Sequence, residues 1–267
     1  SGGLLHKIEG TNFTGSLLIG HSTTGTLSSA QNNTGIGIGA LDALTSGDDN
    51  VAVGKAAGGA ITSGGSNIAI GRSAGDALTL GNFNIAIGAY ALTVEDEGNK
   101  NIAVGYAALE NLNSNGDTYN VAIGHNAGKL VSTGIQNTLI GGLAGDAITD
   151  ANNNIAIGYL ALTTETSSSN NVAIGVTALQ QSNGGTYNIA IGRDAGQQIT
   201  TGDNNTIVGG LAGDALTTGS NNIVIGYNAA ASAVDVSNEV TIGDSNIANV
   251  RIPSDSTLKI GASGDLQ

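Results

Sequence analysis

The sequence predicts an all-β fold, a solenoid of stacked coils with about 17 residues per coil, and three observations lead there. The phrase Asn-Ile-Ala-Ile-Gly, at Asn67–Gly71, returns with small changes almost to the end of the chain. Its last glycine falls at Gly39, Gly54, Gly71, Gly88, Gly105, Gly124, Gly141, Gly158, Gly175, Gly192, Gly209, Gly226 and Gly243. The intervals are 15, 17, 17, 17, 19 and then 17 seven times, with Gly20 (Leu17-Leu18-Ile19-Gly20) outside the series. Glycine reaches 43 of 267 residues while hydrophobic residues make up 40%, which marks periodic turns between apolar segments and not disorder. A repeat this short cannot bury its own apolar face and depends on the coils above and below it.

Taken in order, residues 1–31 read as a connector or first irregular coil, rich in Ser, Thr and Gly (Ser22-Thr23-Thr24-Gly25). Residues 32–230 are the regular array. Residues 231–267 loosen through Val234-Asp235-Val236, return as Glu239-Val240-Thr241-Ile242-Gly243, and end in Val250-Arg251-Ile252-Pro253 and Leu258-Lys259-Ile260-Gly261. This last part reads as short strands of a cap or junction.

Within a repeat, Ile-Ala-Ile has the period of two expected of a short strand, and the large aliphatics are expected to face the core. The anchor glycine turns the chain. Three residues on stands an alanine (Ala57, Ala74, Ala91, Ala108, Ala127, Ala144, Ala161, Ala178, Ala195, Ala212, Ala229), which implies close backbone approach. The next position sorts the repeats into pairs: Gly58 and Gly75, Leu92 and Leu109, Gly128 and Gly145, Leu162 and Leu179, Gly196 and Gly213. Where it is glycine, an aliphatic follows three residues later (Ile61, Leu78, Val131, Ile148, Ile199, Leu216); where it is leucine, that place is Glu95, Glu165 or Ser182, with Leu112 the exception. One large side chain per coil is kept while its origin shifts, as a close-packed interior requires. The true unit is therefore four coils, 68 residues in its clean copies, which explains why Thr118-Tyr119-Asn120 recurs as Thr186-Tyr187-Asn188.

Four residues before the anchor stands Asn50, Asn67, Asn84, Asn101, Asn120, Asn137, Asn154, Asn171, Asn188, Asn205 or Asn222. Amides stacked one coil apart suit a structural hydrogen-bonded ladder, a better reading than a ligand site in eleven copies. The position just after the anchor varies most: His21, Ala40, Lys55, Arg72, Ala89, Tyr106, His125, Gly142, Tyr159, Val176, Arg193, Gly210, Tyr227, Asp244. Its Lys55, Arg72, Tyr106, His125, Tyr159, Arg193 and Tyr227 form a candidate contact column, serving either protomer packing or the capture of a surface glycan or another protein.

Other chemistry is disfavoured. A net charge of −13 opposes nucleic-acid binding, and no apolar run is long enough for membrane insertion. The opening Ser1-Gly2-Gly3-Leu4-Leu5-His6-Lys7 lacks signal-peptide form, and a start at Ser1 reads as part of a longer chain. Gly71-Arg72-Ser73-Ala74-Gly75 spells G-x-S-x-G, yet the same slot elsewhere holds Gly124-His125-Asn126-Ala127-Gly128, so Ser73 is a turn residue and no catalytic residue is expected. His6, His21 and His125 have no metal-ligand spacing, and the turn residues Asp76, Asp146 and Asp214 lack calcium-loop form; neither metal nor cofactor is expected.

A hexapeptide-repeat helix would need an aliphatic six beyond Ile70, where Asp76 stands. The coil's thin core calls for further burial between chains, and a homotrimer about the long axis supplies it; at about 4.8 Å per coil the rod is roughly 60–70 Å long. Asn171-Val172-Ala173-Ile174-Gly175, with a small residue three on, resembles the head repeat of YadA-type trimeric autotransporter adhesins, which implies a trimeric left-handed parallel β-roll. The longer Asn154-Ile155-Ala156-Ile157-Gly158-Tyr159-Leu160-Ala161-Leu162 is more similar to repeats of phage tail fibres. So is the stretch from Asn238 to Asn246 with Val250-Arg251-Ile252, which resembles segments preceding a self-cleaving intramolecular chaperone. The resemblance implies a non-enzymatic shaft or distal part of a virion tail fibre, with host-attachment and baseplate or fibre partners. The alternatives are an adhesin head on a bacterial cell surface and a carbohydrate-active tail spike; the second needs a carboxylate pair in a groove.

Overall fold

The computed structural model describes residues 6–10, 13–20 and 27–247. Two strands, His6–Gly10 and Phe13–Ile19, pair antiparallel as a hairpin. Every other strand pairing among the described residues is parallel. Leu17-Leu18-Ile19 pairs with Thr34-Gly35-Ile36, that with Val51-Ala52-Val53, and so on rung by rung to Val240-Thr241-Ile242. The result is a parallel β-solenoid of about thirteen turns, all-β, with no helix among the described residues. The sheet thus reaches past the 32–230 window at both ends. The strands expected at Val250–Ile252 and Leu258–Ile260 lie outside the described residues.

The register corrects the first anchor. Ile36 pairs with Val53, so Gly37 aligns with Gly54, and Ile19 pairs with Ile36, so Gly20 aligns with Gly37. The interval of 15 disappears, and Gly20 joins the series. Between the terminal members Gly20 and Gly243, the anchors from Gly37 to Gly226 share a backbone with φ of 130–145°, whereas Gly39 has φ 73°. A Cβ on Gly37 would lie 2.4 Å from the Gly54 carbonyl oxygen; one on Gly39 would meet nothing closer than 3.7 Å. Anchors are glycine because each turn rests directly on the carbonyl of the next.

The strand's inside and outside also differ from the expectation. The middle residue points inward: Ala52, Ala69, Ala86, Ala103, Ala122, Ala156, Ala173 and Ala190 are fully buried. The flanking aliphatics point outward, with Ile70 37%, Ile123 39% and Ile225 39% exposed. In most rungs the strand contributes only a methyl group and the bulk comes from the opposite wall, whereas Leu18, Leu139, Ile207 and Val224 put a large buried side chain at the same inward position. The alanine column from Ala40 to Ala229 is buried beside it. Leu92, Leu109, Leu162 and Leu179, or Ile61, Leu78, Val131, Ile148, Ile199 and Leu216, complete the filling.

Glycine and leucine exchange at one left-handed position. Gly58, Gly75, Gly128 and Gly145 have φ of 54–57°, and Leu92, Leu109, Leu162 and Leu179 have φ of 48–54°. The leucines bear a strained backbone, which costs on the order of 1 kcal/mol or more each, in exchange for a buried side chain. Where glycine stands there, a neighbour fills the room. The Leu139 Cδ2 lies 2.7 Å from where a Gly145 Cβ would be, and the Ile207 Cδ1 3.0 Å from that of Gly213. The last coil lacks this filling. Ala233 stands where the coil before carries Leu216, and a cavity of about 170 Å³ opens beside Leu216 and Ala230–Val234.

Candidate functional site

Three hydrogen-bonded ladders run along the solenoid and fix every surface column at one height per coil. In the innermost, the Asn154 backbone N–H donates to the Asn137 Oδ1 (3.0 Å), and the Asn154 Oδ1 accepts from the Asn171 N–H (2.9 Å). The Asn154 Nδ2 meanwhile donates to the Ser168 carbonyl (3.0 Å). All eleven asparagines from Asn50 to Asn222 are buried, and Asn33 belongs with them. The Ser16 hydroxyl accepts from the Asn33 N–H at one end, and the Glu239 backbone N–H donates to the Asn222 Oδ1 at the other. A fully buried column does not meet a ligand; its role is to close the stack.

The second ladder escaped sequence reading. At the Gln31 position of several coils the backbone N–H donates to a side-chain oxygen of the next: Gln31 to Asp48, Asn82 to Asn99, Ile135 to Asn152, Thr186 to Asp203, Asp203 to Ser220. Asp, Asn and Ser alternate there with Gly and Ile, so no single letter repeats. In the third, hydroxyls of Thr45, Thr62, Ser132, Thr149 and Thr200 donate to carbonyls one coil on.

The column after the anchors is exposed at Lys55, Arg72, Tyr106, His125, Tyr159, Arg193 and Tyr227. With Gly37 as the true anchor, its first member is Ile38, 74% exposed, in place of Ala40, which is buried. His21 lies outside the described residues. The structure joins part of the column into one row. The Arg72 guanidinium lies 4.5 Å over the Tyr90 ring, Tyr90 meets Tyr106 edge-on at 5.9 Å, and Tyr106 stacks on His125 at 5.1 Å with 16° between planes. Tyr90, two residues after its anchor, is the member that the column reading missed. Tyr159 and Tyr227 stand apart, each ring beside a glycine one coil earlier: a Cβ on Gly142 or Gly210 would lie 3.5 Å from the ring's Cδ2. Arg193 Nε sits 3.2 Å from the Asp194 Oδ2.

Charges elsewhere are engaged. Lys100 is bonded to Asp117 and to the Tyr119 hydroxyl; that contact raises the lysine's pKa and lowers the aspartate's. Lys129 pairs with Glu110 across coils at 3.4 Å. Two carboxylates are buried inside. Glu165 accepts three backbone N–H groups, from Thr166, Ser167 and Ser168. Glu95 accepts from Gly98 at 2.7 Å and Asp96 at 3.1 Å, and burial raises its pKa above the ordinary carboxylate value. Ser73 is half-buried in a turn and hydrogen-bonded to Asp76, whose pKa burial also raises. Among the described residues no three His, Asp or Glu gather closely enough to hold a metal ion.

A further surface feature is the outer face of the sheet. The two outward positions of every rung, from Leu17 and Ile19 to Val240 and Ile242, hold only Ile, Val, Leu or Thr. At about 4.8 Å per rung this is a charge-free band roughly 60 Å long, apolar except at Thr34, Thr138 and Thr206. Comparison of the chain with protein families, with curated proteins and with solved structures finds no match in any of the three.

Proposed function

We propose that the chain is a rigid shaft or distal segment of a phage tail fibre, a left-handed β-roll that works as a homotrimer in host attachment and performs no catalysis. The observation that carries this reading is the apolar band: a solvent-facing column of Ile and Val with no interruption by charge calls for a partner carrying the same column. Three identical chains around one axis cover it symmetrically. The hydrogen-bonded ladders supply stiffness along that axis, and the likeness of Asn154–Leu162 to fibre repeats supports the virion setting. The head of a bacterial surface adhesin is the second reading, favoured by the shorter phrase Asn171–Gly175.

The test is direct. Light scattering on the purified chain should give three times the mass of one 26.1 kDa protomer, and electron micrographs should show straight rods. Labelled rods should adsorb to cells of some strains in a panel of bacterial isolates. A monomer at micromolar concentration, or rods that adsorb to no strain, would sink the proposal.

A further inference from the structure

We infer that Asn115-Gly116 is a site of spontaneous covalent modification, where the asparagine amide is converted through a cyclic imide to aspartate and isoaspartate. The chain's other Asn-Gly pair, Asn183-Gly184, is held against the same reaction. This inference is independent of the attachment reading.

The chemistry belongs to the dipeptide. When the Gly116 backbone nitrogen gives up its proton it attacks the Asn115 side-chain carbonyl carbon; the new N–C bond closes a succinimide ring, and the amide nitrogen leaves as ammonia. Water then opens the ring at either carbonyl. One opening gives aspartate, and the other gives isoaspartate, with the main chain running through the side-chain carbon. The sum exchanges an amide NH2 for OH, consuming one water and releasing one ammonia, with nothing oxidised or reduced. Glycine favours closure because it has no Cβ to crowd the attacking nitrogen. Both pairs follow a serine, Ser114 and Ser182, and both stand nine residues before an anchor, Gly124 and Gly192.

Their surroundings differ. Asn115 lies in the coil of 19 residues, between Gly105 and Gly124. Asn115, Gly116 and Asp117 are exposed, and no hydrogen bond holds the Asn115 side chain among the described residues. A Cβ on Gly116 would meet nothing within 4 Å, so the side chain has room to fold over this residue. Gly116–Asp117 pairs with Gly98–Asn99, a two-residue parallel pair outside the sixteen-stranded sheet. A pair so short opens without the rest of the fold, and opening bares the Gly116 nitrogen. Asn183 is exposed too, but it belongs to the threonine ladder. Its Oδ1 accepts from the Thr166 hydroxyl at 3.1 Å, and its N–H donates to the Thr200 carbonyl at 2.9 Å. The Thr201 Cγ2 stands 3.4 Å from where a Gly184 Cβ would be. A side chain tied to the coil before it must release that bond to fold back onto the Gly184 nitrogen. Exposure is common to the two pairs, and restraint separates them. Because Gly116–Asp117 lies off the main sheet, the solenoid outlasts the change. Each conversion adds a negative charge two residues from Asp117, the partner of Lys100.

The experiment ages the whole chain, in its native assembly, in warm and mildly alkaline buffer. Digests taken over time are read by mass spectrometry, with electron-transfer fragmentation to tell aspartate from isoaspartate. Asn115 should lose its amide roughly tenfold faster than Asn183, the order of factor that one restraining hydrogen bond supplies. In denaturant strong enough to unfold the chain the two rates should converge, because the dipeptides are the same. Gly116→Ala should slow Asn115 by a similar factor, and Thr166→Val, which removes the hydroxyl donor, should speed Asn183 several-fold. Aged wild type should bind an anion exchanger more tightly than fresh protein while keeping its circular dichroism. An Asn115 that does not react, an Asn183 that reacts as fast in the folded chain, or a difference in rate that persists in denaturant would each overturn the inference. An Asn183 unmoved by Thr166→Val would overturn the protective role given to that bond.

Discussion

At the scale of single residues, the inner ladder concentrates stability in groups with no alternative partner. Asn154→Ala deletes the acceptor for the Asn171 N–H and the donor for the Ser168 carbonyl, both buried. Leaving two such groups unpaired should cost about 2–5 kcal/mol, read as a lower midpoint in denaturant. Glu95 behaves differently, because burial raises its pKa in the folded chain, with the neighbouring Asp96 charge adding to the rise against opposing backbone hydrogen bonds. A carboxyl with a raised folded pKa favours folding when protonated. Its contribution is full below the ordinary carboxylate pKa, near 4.5, and is lost as pH rises through the folded value. Asp76 acts in the same sense, while Asp117, Glu239 and Asp244, lowered by hydrogen bonds to Lys100, Ser232 and Asn246, act in the opposite one. The informative quantity is therefore the difference between wild type and Glu95→Gln. Relative to the variant, wild type should gain stability as pH falls from 7 toward 4.5; a difference independent of pH would refute the assignment.

At the scale of the coil, each turn is built on contact between backbones. A Cβ on Gly158, at φ 140°, would lie 2.3 Å from the Gly175 carbonyl oxygen. Gly116 has φ 77° with nothing within 4 Å of the same construction. Gly158→Ala should thus destabilise by about 3 kcal/mol or more, through clash and strain together, and Gly116→Ala by only about 1 kcal/mol. Thermal melts of the pair separate stacking from backbone strain. This contact also shows what was legible in the sequence. Positions that admit one residue type, the anchor Gly, the ladder Asn and the inner Ala, betray their period as letters, and the all-β solenoid follows from them. Gly39 misled because Gly35, Gly37 and Gly39 alternate, and only register separates a turn at φ 137° from one at 73°. The direction of Ile-Ala-Ile was illegible because alternation names two faces without saying which is inside. What decides is the width of the coil, a property of the opposite wall. The outer ladder of Asp48, Asn99, Asn152 and Asp203 stayed hidden because several residue types supply the same oxygen. Of the contact column, the positions were readable. That Tyr90 joins Arg72, Tyr106 and His125 from a neighbouring column was not, since rings reach across columns.

At the scale of the molecule, the outward Ile and Val decide how chains meet. The sheet does not need them for its own stability, since Thr138 and Thr206 occupy outward places in rungs that pair as regularly as the rest. Threonine keeps the branched Cβ that suits a strand and replaces a methyl group with a hydroxyl that stays solvated when exposed. Ile157→Thr, Ile174→Thr and Ile191→Thr therefore change three consecutive rungs of the band without entering the core. If the band is the seam of a trimer, each chain buries these three side chains, and each substitution places a hydroxyl in that seam, costing about 1–3 kcal/mol when it finds no partner. Summed over nine positions in three chains, that suffices to dissociate the assembly at micromolar concentration. The combined variant should then have the mass of one protomer and the circular dichroism of wild type, and its unfolding should lose dependence on protein concentration. A variant that remains trimeric would put the seam elsewhere, and the band would have to be covered by a different chain.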